Sequence, residues 1–328
     1  MTLIERDAIG AHASGCNAGN LNPLYGTAPS LLPAALEAFQ LHKRLAAELR
    51  SLGCGHYSLN PVKRILLGYD DEERTALEQA AGLFRATDGF SSTWLEREEL
   101  CRVEPGIGDD VRFGLLLDGS LSVDGQAFTQ SLAAAAVHLG CRIVHDAVGG
   151  LTTHGDLVSG VRTQRGVIAC DEVVFATGPW VANLASWLDI EIQVEPMKGE
   201  LLLVQLSGDQ PQHDLSRNST CIYRRRDAQI WVGGTWENAG FDASPTAAAR
   251  AELLAGAARL FPSVGRAAVI RHAAALRPCS PAERPIASRA DGWRNAWIAN
   301  GGGAKGILLC LGIAQTIVDL FVGEATCT

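Results

Sequence analysis

The run Val173-Val174-Phe175-Ala176, apolar throughout and closed by Thr177-Gly178, constrains this chain more than any other feature. A strand without a polar face has to be covered on both sides, which is the situation of a central strand in a parallel sheet layered with helices. A second strand-like run, Ala296 to Asn300, also ends in glycine, Gly301-Gly302-Gly303, and feeds a long apolar helix from about Ala304. An amphipathic helix over Gln126 to Leu139, closed by Gly140, leads straight into the strand Arg142 to Val144, the order of a βαβ crossover. The pattern predicts an α/β fold.

The remaining chain divides around that frame. Met1 to Glu5 reads as a short apolar strand ending in an acid, and Gly10 to Gly19 as an irregular glycine-rich loop. Leu32, Leu36, Phe39, Leu45, Ala46 and Leu49 recur near the helical period, with Gly53 at the stop position, so Leu31 to Leu52 is a helix. Between 54 and 123, strand-like runs (Arg64 to Tyr69, Val111 to Leu117) and an acidic helix at about 71–81 mark an inserted, mostly antiparallel region. Turns at His154-Gly155-Asp156 and Arg165-Gly166 divide Ala147 to Cys170 into a three-stranded meander. A β-rich stretch over about 190–275 holds strands Glu200 to Leu206 and Gln229 to Gly234 and one helix, with Ser244 as N-cap and Pro245 at the first helical position. The expected organisation is a Rossmann-like domain from residues 1–53, 124–188 and 276–328, and a second, antiparallel β-rich substrate domain from 54–123 and 189–275.

Bulk properties exclude some function classes. A formal net charge of −8 and the lack of any Lys/Arg block give no footprint for nucleic acid. No export or organelle signal is visible at the N-terminus, so a cytoplasmic location is expected. The longest apolar stretch, Gly306 to Val322, is broken by Gln315 and Asp319, falls short of the roughly 20 residues that span a bilayer and reads as a buried helix, so no transmembrane segment is expected. Nine scattered cysteines without a C-x-x-C pair point to reduced core thiols, and no metal site is expected.

Chemistry concentrates at the strand ends. In an open α/β sheet, ligands bind at the carboxyl ends of strands, where glycine lets backbone approach a cofactor; Thr177-Gly178 and Gly301-Gly302-Gly303 are such places, although glycine turns here also serve structure alone. The helix after Gly303 brings unpaired N–H groups and a positive dipole end that would favour the negative edge of a reduced flavin, unless that end faces water. Glu5, ending the opening strand, stands where dinucleotide-binding folds place the acid that holds ribose hydroxyls, or else is a solvated surface charge. Arg277, in Ala275-Leu276-Arg277-Pro278, is a guanidinium in an apolar setting that needs either a substrate carboxylate or an internal Asp or Glu.

The order of these motifs resembles the FAD-dependent D-amino-acid oxidase superfamily, which includes glycine oxidase and D-amino-acid dehydrogenases. The resemblance rests on Thr2 to Arg6, Ser14 to Leu21, Val173 to Trp180, Pro196-Met197-Lys198-Gly199-Glu200, and Leu276-Arg277-Pro278 followed by Pro285-Ile286 and Gly301 to Ile307, and covers essentially the whole chain. It implies FAD as cofactor, with Glu5 on the adenosine ribose, Arg6 along the adenine edge and Val148 presenting backbone to adenine. Ser14 and the loop Asn17, Ala18, Gly19, Asn20, Leu21 would pass the pyrophosphate and ring, with Thr177, Gly178 and Trp180 beneath the cofactor. Gly302, Gly303, Ala304, Lys305, Gly306 and Ile307 would offer N–H groups to the flavin pyrimidine. Arg277 would clamp the substrate carboxylate with Tyr223 beside it, directing the Cα–H at flavin N5 for hydride transfer; the imine would hydrolyse to a keto acid.

The implied activity is oxidation of an amino acid or secondary amine, of the D-amino acid, glycine or N-alkyl glycine class. Electrons would pass to oxygen, a quinone or another acceptor, and self-association is left open. The family's opening unit, a strand, a G-x-G-x-x-G turn and a helix, is not matched, and the chain starts at what would be the second strand. That departure predicts an incomplete FAD-binding domain and weak FAD binding. The alternatives are an impaired remnant that requires a partner chain, and, with less to carry it, an NAD-binding dehydrogenase.

Overall fold

The computed structural model describes residues 1–54, 57–281 and 284–325. The chain opens with β1 (Thr2–Glu5), an irregular loop to residue 19, and the short β2 (Asn20–Leu21). It continues through α1 (Leu32–Ser51), β3 (Asn60–Gly68), α2 (Asp71–Ala86), β4 (Ser91–Glu96), α3 (Arg97–Val103) and β5 (Phe113–Ser122). Next come α4 (Gly125–His138), β6 (Arg142–His145), the meander β7 (Val148–His154), β8 (Leu157–Thr163) and β9 (Gly166–Ala169), then β10 (Val173–Phe175) and α5 (Ala182–Leu188). The last third holds β11 (Glu195–Gln205), β12 (Asp214–Arg217), β13 (Thr220–Arg224), β14 (Gln229–Gly233), α6 (Ala247–Leu260), β15 (Ala268–Cys279), β16 (Ile286–Arg289), β17 (Ala296–Asn300) and α7 (Gly306–Ala325).

Two parallel pairings form the α/β half: β1 with β6, and β10 with β17, the latter extended by antiparallel β16. The meander β7-β8-β9 is its own sheet and packs with β10 and β17 around Phe175, Val158 and Ala296, a cluster that Ile4 of β1 also joins. The β-rich half is one nine-stranded sheet in the order β15-β11-β14-β13-β12-β3-β5-β2, with β4 also on β5. Its core, around Ile65, Leu202, Ile222 and Val232, is covered by α6 through Leu253 and Ala257. α1, α4 and α7 share a third core with Phe39, Phe128 and Leu308. The pairings in this sheet are antiparallel except that of β12 with β3, which is parallel, and the strand interiors of β3 and β11 are buried in continuous runs.

Four details depart from the sequence reading. The Val173–Phe175 strand is parallel but not central: it pairs with β17 alone and leaves Val174 43% exposed, so its apolar run has cover on only one face among the described residues. α7 is not buried: it has 20 residues, is long and apolar enough to cross a membrane by length and composition, and packs one face on α1 while Val318 and Val322 stay more than half exposed. α6 starts after Thr246, not Ser244, because the Thr246 hydroxyl accepts the Ala249 N–H. α2 runs on to Ala86, its start fixed by a reciprocal cap in which Asp70 accepts the Glu73 N–H (2.9 Å) and Glu73 accepts the Tyr69 N–H (2.7 Å). Of the eight described cysteines, only Cys54 and Cys141 are buried.

Candidate active site

Arg277 is the centre of the candidate site. It lies on β15 opposite Met197 of β11, and its guanidinium donates from Nη1 to the carbonyls of Lys198 (3.3 Å) and Thr235 (3.2 Å). Trp236 stacks on it, the guanidinium carbon 4.8 Å from the indole centroid. No carboxylate lies within ion-pair distance of Arg277 among the described residues. Burial pushes its pKa down, offset by the neighbouring Cys279 and Tyr223. A guanidinium that has given up water and gained only two neutral carbonyls retains donors for an anion.

Tyr223 on β13 rests against the guanidinium of Arg64, 5.0 Å from the ring, and Arg64 pairs with Asp214 at 3.3 Å with both side chains almost fully buried. Burial holds the Tyr223 phenol far above its usual range, so it is neutral and donates rather than acting as a base. Arg225, just beyond β13, donates to the Ala18 carbonyl, which ties the β-rich half to the loop of residues 14–21.

That loop is internally pinned. Asn17 Nδ2 donates to the Ala13 (2.9 Å) and Ser14 (2.6 Å) carbonyls and its Oδ1 accepts the Gly19 N–H (2.7 Å). Gly19 has φ +65°, and a Cβ there would lie 1.6 Å from the Val123 carbonyl oxygen, so only glycine fits. Asn20 and Leu21 pair with Ser122 and Leu121 of β5. The Leu21 side chain is wholly buried in the α1/α4/α7 core, leaving only its backbone for a ligand.

The strand ends meet on the other side. Asn300 Nδ2 donates to the Gly178 carbonyl (2.8 Å), joining the ends of β10 and β17, and Gly302 bridges back to Cys279, two residues past Arg277. Gly303, Ala304 and Lys305 form a 3-10 turn into α7, and the Ile307 carbonyl bonds His42 of α1 (2.9 Å). Lys305 Nζ donates to the carbonyls of Asn22 and Tyr25, both at 2.9 Å. Loss of water, with repulsion from Arg64, brings its pKa down to about 8.

Glu5 ends β1 and accepts the Asp7 N–H (2.9 Å), while Val148 opens β7 and packs in the core that Ile4 joins. Arg6 stacks on Trp180 (4.6 Å) and pairs with Asp7. Thr177 precedes the 3-10 turn that carries Trp180.

The residues present suit a flavin ring and its ribose. A Cβ placed on Gly178 or Gly306 would meet nothing within 4 Å, so backbone lies open after β10 and at the start of α7. The buried Asn22 Nδ2 has no hydrogen-bond partner among the described residues, and the dipole of the 20-residue α7 ends beside Lys305. The sequence reading missed Trp236, Arg225 and the Arg64–Asp214 pair, because no local pattern announces a contact between distant strands.

Parallel strands that end in glycine, bridged through Gly302 and Cys279 to the large sheet that carries Arg277, are the arrangement of an oxidoreductase of the dinucleotide-binding class. The chain belongs to the FAD-dependent oxidoreductase family, within the D-amino-acid oxidase superfamily: a sequence model described as "FAD dependent oxidoreductase" matches residues 1–320. It is 30% identical to a glycine oxidase of Pseudomonas aeruginosa over 99% of this chain and 88% of that protein. It is 31% identical to a D-amino acid dehydrogenase of Bradyrhizobium diazoefficiens over 70% of this chain and 56% of that one. The crystal structure of glycine oxidase from Geobacillus kaustophilus superposes with a TM-score of 0.89 at 26% identity, covering 97% of this chain and 87% of that one.

Proposed function

We propose that this protein oxidises a small amino acid or N-substituted amino acid at its Cα–N bond, of the D-amino acid, glycine or N-alkyl glycine class, in the cytoplasm. The observation that carries this reading is the Arg277 guanidinium, partly stripped of water, capped by Trp236 and without a carboxylate partner among the described residues. A substrate carboxylate would complete it with bidentate hydrogen bonds.

FAD, when bound, supplies the hydride acceptor. Glu5 would hold its ribose, with Arg6 and Val148 toward the adenine. Ser14, Asn17 to Leu21, Thr177, Gly178 and Trp180 would line its path, and backbone N–H groups of Gly302 to Ile307 would meet its ring. Arg277 fixes the acid group, which orients the Cα–H and removes most of the entropy of the encounter. Arg64, Arg225 and Lys305 bring three cations to Tyr223 and the loop at residues 18–25, against the carboxylates of Asp214 and Asp124. That excess disfavours a protonated substrate amine, so the nitrogen reaches the reaction with its lone pair free, and neutral Tyr223 is available to donate a hydrogen bond. The imine product then hydrolyses to a keto acid and ammonia or an amine.

The test is a substrate screen with an artificial dye as acceptor, reading keto acid formed. Arg277→Ala should lower kcat/KM for carboxylate-bearing substrates by roughly 10²–10³-fold, the cost of removing one partner of a desolvated charge pair. Unchanged kinetics would assign Arg277 to structure alone.

A further inference from the structure

The segment Pro196 to Glu200 holds more chemistry than a sheet strand needs. A Cβ on Gly199 would come within 2.1 Å of the Arg277 guanidinium, so that side chain lies flat across the Gly199 backbone. Lys198, 1% exposed, divides its ammonium between Glu200 (3.2 Å), which is 0% exposed, and Glu237 (3.1 Å), whose side chain is 52% exposed. Lys198 and Glu237 also exchange both backbone hydrogen bonds, at 2.9 and 3.0 Å. Glu200 receives the N–H and hydroxyl of Thr246 (3.0 and 3.2 Å) and bonds His272 Nε2 at 2.7 Å. Its own N–H donates to the Thr235 hydroxyl.

Both ends of the loop 235–246 are therefore tied to one buried pair. Between the ties the loop carries Trp236, which covers Arg277, and Phe241, 53% exposed and 6.4 Å from Trp180 on the turn that follows β10. It thus spans from the β-rich sheet to the strand-end side, over the arginine. The two ties differ in strength. Lys198 keeps Glu200 as a buried counter-ion whether or not Glu237 is in place, whereas Glu237 can rotate into water. Opening at Glu237 breaks a rim ion pair and two backbone bonds without leaving a bare buried charge, the costly outcome.

We propose that Lys198 and Glu237 are positioning residues that latch residues 235–246 as a lid over the carboxylate-binding position of Arg277, with Trp236 as its inner wall. The proposal rests on the reading of Arg277 as a carboxylate clamp. Glu237→Gln, Glu237→Asp and Arg277→Ala of the full chain separate the two. Amide hydrogen exchange without ligand should be about tenfold faster across 235–246 in Glu237→Gln, with α6 and β11 unchanged, the signature of local opening. The dissociation constant for benzoate, a carboxylate with no oxidisable Cα–H, should rise about fivefold in Glu237→Gln and recover in Glu237→Asp, because the open loop reduces the binding-competent fraction. Arg277→Ala should abolish benzoate binding and leave that exchange as in the wild type. Wild-type exchange or wild-type benzoate affinity in Glu237→Gln, with binding lost in Arg277→Ala, overturns the latch and leaves the clamp standing. Wild-type benzoate affinity in Arg277→Ala overturns the clamp and the lid's ligand together, and exchange in Glu237→Gln then shows only what holds the loop.

Discussion

At Lys305, burial makes the ammonium easier to deprotonate than an ordinary lysine. Its ammonium faces two carbonyls with Arg64 nearby, and its pKa falls to about 8. Between pH 8 and the unfolded value near 10.4 the unfolded chain binds a proton that the folded chain has released, so raising the pH stabilises the fold at this position. The wild type should therefore gain stability relative to Lys305→Met on the order of 1–3 kcal/mol across that window and show a flat difference below it. Denaturant titrations of both proteins at pH 7, 8, 9 and 10 check this; a flat difference throughout would mean the amine keeps its ordinary affinity for the proton. Where FAD is bound, the same amine offers a cation beside backbone N–H groups at the start of α7, and it is charged over most of the neutral range.

At the scale of elements, the start of α6 shows how a distant side chain overrides a local signal. Ser244-Pro245 is a good helix opening by itself, but Glu200 holds both the N–H and the hydroxyl of Thr246, and the helix begins where that anchor sits. Thr246→Ala removes the cap and one hydrogen bond to a wholly buried carboxylate, and should cost about 1–2 kcal/mol in chemical denaturation. Thr246→Ser keeps both bonds and should recover most of it. α2 gives the opposite lesson, since its Asp70–Glu73 capping box is written entirely in adjacent residues. Its end at Ala86 escaped the sequence reading because Ala81 and Phe84 pack into the core that holds Leu66 and Leu115, and that packing extends the helix past its acidic first turns.

At the scale of the whole molecule, α7 leaves apolar side chains uncovered. Val318, Leu320 and Val322 of α7 are 51%, 37% and 58% exposed, on a helix whose other side packs against α1, β16 and β17. Exposed apolar area of this kind drives association. Light scattering over a concentration series should show self-association in the wild type that is lost in Val318→Lys/Val322→Lys, with unfolding free energy unchanged to within about 0.5 kcal/mol, since neither side chain is in the core. Equal scattering from both proteins would clear this face.

Periodicity alone determined that this is an α/β protein with an antiparallel β-rich partner, because burial demands a two-residue repeat of a half-covered strand and a 3.6-residue repeat of a helix. Adjacent residues likewise announced the meander and the glycine-ended strands β10 and β17. Neither the single cover of Val174 nor the open face of α7 could be read that way: an apolar run states what a segment tolerates, and only its neighbours decide whether it is met. Arg277 stood out as a cation in apolar surroundings, yet both candidate partners stayed open in the sequence. The tertiary structure leaves Arg277 without an ion pair among the described residues, and that, the Trp236 stack and the Lys198–Glu237 tie all depend on strands far apart in the chain being brought within a few ångströms.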